Sequence, residues 1–387
     1  KYYYEKTNIN ILLVAFTNRA VDEICKAVIE EVSQDNIIRL GNKESSELSN
    51  IMLSLQMENI SYKEFKEKIK NVRIFAATTA YLQNNYELYL NKKFDLAIID
   101  EASQLNELST IGICSKVDKF ILIGDEKQLP AISTMPDNEA IVQSEKLREI
   151  GIEKLNVSLF ERLLRQAKLY NWNNSHGMLV EQSRMHTDIM KLANTLFYNN
   201  KLKKYANISE VGKIEIYNNN VNSMIAESRV IFINSQLSPK AKINNNELKI
   251  SLKLLNQITQ NLANDKISIG VIAPFKKHCI ELQTELDNAG LFNISVDTVE
   301  RYQGSERDII LINFVCSNLY MLNNSSSITE IDGIAIDRKL NVAITRAKQQ
   351  LILVGNIDLL KQSKLHKALI ELIEVNGLVV NEEDLKW

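Results

Sequence analysis

The chain has 387 residues, of which 45% are hydrophobic and 24% charged, an ordinary globular balance. Its formal net charge of -2 gives no whole-protein attraction to nucleic acid, so any such binding must come from local basic patches. No apolar run approaches the roughly 20 residues that cross a bilayer, and the four cysteines lack the spacing of metal ligands or of a disulfide framework. We therefore predict a cytoplasmic protein without a membrane partner.

Apolar strands alternate with amphipathic helical stretches along most of the chain, a pattern typical of parallel α/β sheets. The predicted strands are 11–15, 37–40, 72–76, 96–99, 120–123, 214–216, 230–233, 268–272, 309–314 and 350–354. A mostly helical stretch from about residue 141 to residue 203 separates the first five strands from the last five. The pattern predicts two α/β domains of similar size.

We place the two domains at residues 1–172 and 173–387, joined by a short polar segment near 171–175. A polar insertion of helical pattern, residues 42–70, falls between two strands of the first domain. Three polar segments rich in asparagine or serine are predicted loops: 218–223, 237–246 and 318–331. The third contains the run NNSSS and is the strongest candidate for disorder.

Two adjacent acids follow the fourth predicted strand, in the stretch FDLAIIDEASQL. Asp100 and Glu101 stand at the carboxyl end of an apolar run, where α/β folds place their ligands. In phosphoryl-transfer enzymes an Asp at such a position holds Mg²⁺, and a neighbouring Glu can orient the attacking water. The alternative is that these residues only cap the following helix.

The next strand ends in a second polar group, in the stretch FILIGDEKQLPAI. Gln128 carries an amide that can accept from a water and donate to a phosphate oxygen. Because the two neighbouring strands deliver these side chains to one sheet edge, the two motifs together predict a site for a nucleotide and Mg²⁺. The alternative for the second motif is a surface turn at Gly124 and Pro130.

Two further motifs place polar residues just beyond strands of the first domain. AFTNRAVDEI puts Thr17, Asn18 and Arg19 at the start of a helix, where a hydroxyl, an amide and a helix amino terminus suit phosphate contact. AATTAYL places Thr78 and Thr79 after the third strand in the same manner. For Thr17 and Asn18, an ordinary helix cap is the alternative.

The second domain carries a comparable set. VIAPFKKH places Pro274, Phe275 and Lys276 after a strand, and an aromatic ring beside lysines is the usual combination for binding a single strand. A lone Phe is, however, more often part of a core. Thr298 in DTVERYQG completes the set. Such a track binds mainly the backbone of a strand, so we expect little sequence specificity.

The order of these motifs, together with EQSRMH, DTVERYQGSERD and NVAITRAK, closely resembles superfamily 1 helicases, above all the Upf-like and Sen-like group of superfamily 1B. The resemblance runs from about residue 11 to residue 355. It implies two RecA-like parallel-sheet domains in tandem, with ATP and Mg²⁺ as cofactors. It further implies a motor that couples ATP hydrolysis between the two domains to movement along single-stranded DNA or RNA, 5′ to 3′, and we expect a monomer.

The resemblance assigns roles in the first domain residue by residue. Asp100 would hold Mg²⁺, Glu101 would be the general base, and Gln128 would sense the γ-phosphate. The family also needs a glycine-rich phosphate loop, G-x-x-x-x-G-K-[ST], and this sequence contains none. We therefore expect a fragment of a longer protein, and a chain that by itself neither binds ATP tightly nor turns it over.

In the second domain the resemblance assigns Arg184 and Arg346 to the γ-phosphate, because a planar, permanent cation donates well to phosphate oxygens. For either arginine alone, an exposed ion pair is the alternative. Gly304 and Glu306 in YQGSERD match the nucleotide-binding positions, with Glu306 expected at the ribose.

The motif QSRMHT departs from the family pattern at two positions. Ser183 stands where relatives usually carry tyrosine, and Thr187 stands where they carry proline. If that tyrosine stacks on the base, as the family implies, base contact in this chain is weaker or is supplied elsewhere. Two rival functions are a non-catalytic, helicase-shaped scaffold that binds nucleic acid or a partner protein, and a translocase that remodels protein–nucleic acid complexes without unwinding.

Overall fold

The computed structural model describes residues 1–385 except 43–45, 47, 57–59, 86, 137, 206–216, 218–222 and 239–241. The chain divides into two compact units, unit 1 (Lys1–Gly177) and unit 2 (Met178–Trp387). It passes from one unit to the other just after Gly177, whereas the predicted boundary lies between residues 172 and 173. Among the helices that the structure describes, none is long and apolar enough to cross a membrane.

Unit 1 contains a five-stranded sheet. Its strands are β1 (Ile11–Ala15), β2 (Ile37–Arg39), β3 (Ile74–Thr78), β4 (Phe94–Ile99) and β5 (Val117–Leu122). Each strand is parallel to its neighbours, in the order β2-β3-β1-β4-β5. The helices of this unit are α1 (Tyr2–Lys6), α2 (Asn18–Glu31), α3 (Leu53–Gln56), α4 (Tyr62–Asn71), α5 (Thr79–Asn84), α6 (Leu88–Asn91), α7 (Glu107–Cys114), α8 (Glu145–Glu149) and α9 (Leu159–Leu169).

The central strand β1 is apolar throughout because both faces of the sheet are covered. Successive side chains of a strand point to opposite faces, so Leu12 and Val14 join one hydrophobic cluster. Ile11, Leu13 and Ala15 join a second cluster with the inner side of α2. This continuous burial explains why the strand is an uninterrupted apolar run, and it fixes which residues reach the edge of the sheet.

Unit 2 contains a six-stranded sheet and two small ones. Its strands are β6 (Glu181–Gln182), β7 (Lys203–Lys204), β8 (Val230–Asn234), β9 (Ile269–Ile272), β10 (Ile294–Asp297), β11 (Arg307–Asn313), β12 (Ile328–Ile331), β13 (Ile334–Asp337), β14 (Ala347–Gly355) and β15 (Leu378–Asn381). The main sheet is parallel throughout, in the order β10-β9-β11-β14-β8-β15. Strands β6 and β7 form a parallel pair, and β12 and β13 form an antiparallel hairpin.

The helices of unit 2 cover its main sheet and connect its strands. They are α10 (Thr187–Phe197), α11 (Ser223–Glu227), α12 (Asn245–Gln260), α13 (Lys276–Asn288), α14 (Val299–Tyr302), α15 (Leu319–Ser325), α16 (Arg338–Ile344), α17 (Ile357–Leu360) and α18 (Lys364–Asn376). The buried sides of α12 and α13 pack on β9 and β11 in one hydrophobic cluster. The strand–helix alternation of both units is therefore the tandem RecA-like architecture that the sequence predicts.

A buried polar network holds the chain where β11 ends. Val315 has a φ of 52°, a left-handed conformation that is costly for a β-branched residue. Its N–H donates to the carboxylate of Glu247 at 2.9 Å, and Asn244 Nδ2 donates to the same carboxylate at 2.8 Å. Nearby, Asn313 Nδ2 donates to Ser251 Oγ at 2.9 Å. The network ties the first turns of α12 to the carboxyl end of β11.

The structure confirms the predicted strands that fall on described residues, although several ends move. The predicted strand 214–216 lies outside those residues. The prediction of a mobile loop at 318–331 was wrong, because this segment forms α15 and β12. Asn318 caps α15 by accepting from Met321 N at 2.9 Å, and Leu322 buries its side chain. Composition suggested a loop, but the serines close the helix, since Ser325 and Ser326 hydroxyls donate to Leu322 O.

Candidate nucleotide and nucleic-acid sites

The acid motif and the glutamine motif of unit 1 meet at the carboxyl edge of β4 and β5. Two backbone bonds join the strand ends: Ile123 N donates to Ile99 O, and Ala102 N donates to Ile123 O, both at 2.8 Å. Gly124 completes the contact, since a Cβ at this position would lie 3.0 Å from Ser103 N. The lack of a side chain at Gly124 therefore allows the two polar loops to lie against each other.

Asp100 lies at the end of β4 with its carboxylate half-buried. Its Oδ1 accepts from Glu101 N at 2.9 Å, and burial raises the pKa of the carboxyl above its usual range. A nearby cation would offset this burial penalty. Mg²⁺ commonly binds one or two protein carboxylates together with waters and substrate phosphates. Among the described residues no group of three or more His, Cys, Asp or Glu side chains could hold a metal ion.

Glu101 adopts a left-handed backbone conformation with a φ of 51°. For a residue with a Cβ this conformation is strained, and such strain is often found at functional sites. Gln104 Nε2 donates to Glu101 Oε2 at 2.7 Å and so fixes the direction of the carboxylate. Gln104 was not identified from sequence, although its position three residues after Glu101 was a usable signal.

Gln128 is held in the loop after β5 by Asp125. Its Nε2 donates to Asp125 Oδ2 at 3.0 Å, and the other oxygen of Asp125 accepts from Lys127 N at 2.9 Å. Asp125 thus shapes the turn and orients the amide of Gln128. Its role could have been found from sequence, because Asp commonly bonds the backbone two residues ahead in turns.

The outer edge of the unit 1 sheet is β5, and the side chains at this edge are exposed. Phe120 is 42% exposed, Ile121 36% and Ile123 43%. The apolar residues at the end of this strand would normally be covered in a parallel sheet. Its exposure distinguishes β5 from β1 and β3, which are buried along their whole length.

In unit 2 the structure brings Arg184 and Glu306 together across 122 positions of sequence. Arg184 Nε donates to Glu306 Oε2 at 2.8 Å, with both side chains partly exposed. Lys348 lies 3.8 Å from the other oxygen of Glu306 and 3.3 Å from Asp308. The exposed ion pair that is the alternative for Arg184 is therefore present. The partner of Arg184 in this pair is Glu306, the residue expected at the ribose. Lys348 was missed, and no local pattern reveals it.

Arg346 is buried rather than offered to solvent, with an exposed fraction of 2%. Its guanidinium donates to Val342 O at 3.1 Å, to Thr345 Oγ1 at 3.0 Å and to Ser305 O at 3.4 Å. Gly304, just before, has a φ of 74°, the left-handed region that glycine tolerates. Arg346 thus supports the loop that carries Glu306.

The predicted nucleic-acid residues of unit 1 lie at the carboxyl ends of β1 and β3, which are neighbours. Thr17 Oγ1 accepts from Ala20 N and Thr78 Oγ1 accepts from Tyr81 N, both at 3.2 Å, so both hydroxyls are helix caps. Thr79 is buried.

A buried arginine supports the first of these loops. Asn18 Oδ1 accepts from Arg39 at 2.8 Å. Arg39, itself fully buried, also pairs with Asp22 at 3.0 Å and donates to Leu40 O. Neither Arg39 nor Asp22 was identified from sequence, whereas Arg19 is exposed on the same turn.

The predicted nucleic-acid residues of unit 2 lie at the carboxyl ends of β9 and β10. Pro274 is half-buried. Phe275 packs partly against the hydrophobic core, which agrees with the alternative that a lone Phe belongs to a core. Lys276 is exposed and lies 3.2 Å from Asp297. Thr298 stands at the amino end of α14. These residues therefore share one edge of the sheet, whereas Glu306 and Arg346 precede β11 and β14 and lie at the opposite edge.

The fold and the site define a class of protein. Two all-parallel sheets in tandem, one with joined acid and amide loops and the other with an arginine–glutamate pair, form a RecA-like helicase core. Two family models, each described as an AAA domain, match residues 155–358 and 56–134. The first match covers more than half of the chain, so the chain belongs to this AAA-domain family, the Upf-like group of superfamily 1 helicases.

Curated relatives carry matching names. The chain is 28% identical to the "DNA replication ATP-dependent helicase/nuclease JHS1" of Arabidopsis thaliana, over 96% of this chain and 27% of the relative. It is 31% identical to the "Uncharacterized ATP-dependent helicase MJ0104" of Methanocaldococcus jannaschii, over 80% of this chain and 43% of the relative. The chain thus spans less than half the length of these relatives. The chain is similar to an arterivirus helicase solved with DNA over 93% of this chain and 57% of the helicase, at 10% identity and with a TM-score of 0.45.

Proposed function

We propose that the protein is the motor of an ATP-dependent helicase or translocase, which moves along single-stranded nucleic acid 5′ to 3′. The observation that carries the proposal is the junction of the two loops after β4 and β5, which sets Asp100 and Glu101 beside the turn of Gln128. A carboxylate pair beside an oriented amide is what phosphoryl transfer to water requires. We favour DNA over RNA, because one relative is named for DNA replication.

In the proposed reaction, residues of unit 1 would bind the metal and activate the attacking water. Asp100 would hold Mg²⁺, and the metal would neutralise charge on the phosphates. Glu101, with its carboxylate directed by Gln104, would accept a proton from the attacking water. Gln128 would bond the γ-phosphate with the amide that Asp125 orients. The strained backbone of Glu101 supports this assignment, since such strain is often found at functional sites.

Unit 2 would supply cationic groups for the phosphates. Arg184 is partly exposed and could exchange Glu306 for a phosphate oxygen, while the carboxylate of Glu306 would accept a hydrogen bond from a ribose hydroxyl. The guanidinium of Arg346 is buried and bonded to Val342 O, Thr345 Oγ1 and Ser305 O, so we propose that it acts after a local rearrangement or through the Gly304–Glu306 loop. An arginine at the γ-phosphate is worth roughly 10³–10⁵ in rate in well-studied NTPases.

ATP turnover also needs a phosphate-binding loop, which this sequence does not contain. The exposed apolar edge of β5 supports the proposal that additional sequence supplies it, because a further parallel strand at this edge would cover Phe120 and Ile121. Its glycine-rich turn would then lie at the same sheet edge as Asp100. We therefore propose that the 387-residue chain does not hydrolyse ATP by itself.

The single-stranded nucleic acid would lie on the two sets of residues at the carboxyl edges of the sheets. In unit 1 the set is Thr17, Asn18, Arg19 and the backbone at Thr78 and Thr79, whose side chains are buried. In unit 2 it is Pro274, Phe275, Lys276 and Thr298. Because Thr17 and Thr78 cap helices, their helix amino termini would present backbone N–H groups to phosphates. Contacts of this kind position a strand without reading its bases.

The test uses the protein extended to include a phosphate loop. Glu101→Gln should lower the strand-stimulated ATPase rate at least about 100-fold, since it removes the general base, and should leave oligonucleotide affinity unchanged. The matched control is Glu149→Gln, an exposed position on α8. Turnover retained in Glu101→Gln would remove Glu101 from the base role. Turnover by the 387-residue chain alone would refute the requirement for a further loop.

A further inference from the structure

An exposed aromatic ring lies next to the turn that carries Arg184. Tyr205 follows β7 directly and is 47% exposed. Its backbone N–H donates to Gln182 O at 3.0 Å, which extends the parallel pairing of β6 and β7 by one step. Tyr205 is therefore in register with the residue that follows Gln182, which is Ser183.

The turn beside Tyr205 has a defined shape. Gln182 closes it with its side chain, because Oε1 accepts from Met185 N at 2.8 Å and Nε2 donates to Met185 O at 2.9 Å. Ser183 and Arg184 lie at the tip and are both exposed. Ser183 has no surface on which a flat ligand can stack, whereas Tyr205 offers an aromatic face at the neighbouring position.

Charged groups for the rest of a nucleotide lie on this turn and on the segments bonded to it. Arg184 bonds Glu306 at 2.8 Å, and Lys348 lies between Glu306 and Asp308. His186 N donates to Lys348 O at 2.8 Å, so the turn is attached to the start of β14. An aromatic face, a carboxylate and two cations match the base, the ribose hydroxyls and the phosphates of a nucleoside triphosphate.

We propose that Tyr205 is the stacking residue for the base of the bound nucleotide and that it takes over the role that Ser183 cannot perform. The inference rests on the proposed function and deepens it, since it names how this chain would hold the base. We assign the ring to a nucleotide and not to the strand, because Glu306 and Lys348 lie at the amino edge of the sheet. Pro274 and Thr298, which are predicted to contact the nucleic-acid strand, lie at the carboxyl edge of the same sheet. Stacking depends on the area of the flat ring face, which is larger in a purine. Purine triphosphates should therefore bind better than pyrimidine triphosphates.

The experiment compares ATP with inorganic triphosphate, which lacks base and ribose, on the protein extended to include a phosphate loop. Saturation-transfer NMR measures weak binding and reports contact with the adenine protons. Tyr205→Ala should weaken ATP binding about tenfold, the scale of one lost base–aromatic stack, and should leave triphosphate binding unchanged. Tyr205→Phe should bind ATP like the wild type. Tyr320→Ala, an exposed tyrosine on α15, is the matched control and should change neither ligand.

The outcomes separate this proposal from the one on which it rests. Equal ATP affinity in Tyr205→Ala and the wild type would overturn the stacking role while leaving ATP as the ligand. Failure of the extended wild-type protein to bind either ATP or triphosphate would overturn the proposed function, and with it the role of Tyr205. Loss of thymidine-oligonucleotide binding in Tyr205→Ala, with ATP binding unchanged, would assign the ring to the strand and also overturn the proposal.

Discussion

Glu247 gives unit 2 a specific dependence of stability on pH. The carboxyl is buried, with 1% of the residue exposed, and burial raises its pKa to about 8 despite the donors from Val315 N and Asn244. Below that pH the folded protein carries the proton on Glu247. In the unfolded chain the same carboxyl titrates near its ordinary value of 4.5.

The sign and the size of the effect follow from these two values. Between 4.5 and 8 the folded state binds one more proton than the unfolded state, so the free energy of unfolding falls as pH rises. The full stabilisation is present below pH 4.5 and is lost as pH rises through 8. One pKa unit corresponds to about 1.4 kcal/mol, and the whole interval to about 5 kcal/mol.

A neighbouring histidine, His278, limits the pH range in which the effect of Glu247 on stability can be measured. His278 accepts from Asn244 N at 3.3 Å, and burial lowers its pKa to about 4, so stability gained from His278 rises with pH and is complete above 6.5. Between about pH 6.5 and pH 8 the slope belongs to Glu247, and the expected loss there is about 2 kcal/mol. Urea-dependent hydrogen exchange of β11 in the whole chain measures it, because that strand is buried beside the network.

The controls are two glutamine variants. Glu247→Gln keeps most of the acceptor geometry but cannot titrate, so the decline above pH 6.5 should disappear. Glu281→Gln, exposed on α13, should decline like the wild type. An equal pH slope in the wild type and in Glu247→Gln, or a stability of the wild type that rises with pH over this interval, would refute the reasoning.

Two further predictions concern unit 1. Lys92 is buried and donates to three backbone carbonyls at the end of α4, at 2.8, 2.9 and 3.0 Å. Lys92→Met should lower the free energy of unfolding, measured by urea titration, by about 3 kcal/mol, because buried carbonyls lose charged donors. Gly124→Ala places a methyl against Ser103 N and should push the acid and amide loops apart. We expect a drop of about tenfold in the kcat of the ATPase in the protein extended to include a phosphate loop.

Each of these changes has a matched control nearby. Lys93→Met breaks only an exposed pair with Asp118 and should leave stability nearly unchanged; equal losses in both lysine variants would contradict the capping role of Lys92. Gly112→Ala meets no atom within 4 Å and should leave kcat unchanged. A Gly124→Ala enzyme as fast as the wild type would show that the contact between the loops is not needed.

The parts of the site that could be predicted are those that a single strand positions. Asp100, Glu101 and Gln128 follow apolar runs, and a parallel sheet brings the ends of adjacent strands to one edge whatever the rest of the chain does. The same logic identified Thr17 and Thr78. It left open whether their hydroxyls cap helices or face a ligand, because both roles use the same residue types at the same positions.

The parts that could not be predicted depend on contacts between distant segments. Arg184 and Glu306 were each identified, yet their ion pair spans 122 positions and leaves no local trace. The burial of Arg346 and of Arg39 was equally hidden, since an arginine in a sequence shows its charge but not its partners. Phe275 was placed with the nucleic acid because of the lysines beside it, whereas its packing on the core depends on helices elsewhere in unit 2.

The separation of the two sets of residues in unit 2 has a mechanical consequence. Glu306 precedes β11 and Thr298 follows β10, so the proposed nucleotide and strand contacts lie at opposite ends of one parallel sheet. The seven residues of β11 span about 23 Å at roughly 3.3 Å per residue. Buried, close-packed sheets deform little. A displacement of the sheet edge that carries Glu306 therefore moves the opposite edge, which carries Thr298, by the same rigid rotation. Under the proposed function, the coupling of ATP hydrolysis to movement would then need no chain of side-chain switches within unit 2, because the sheet itself connects the two edges.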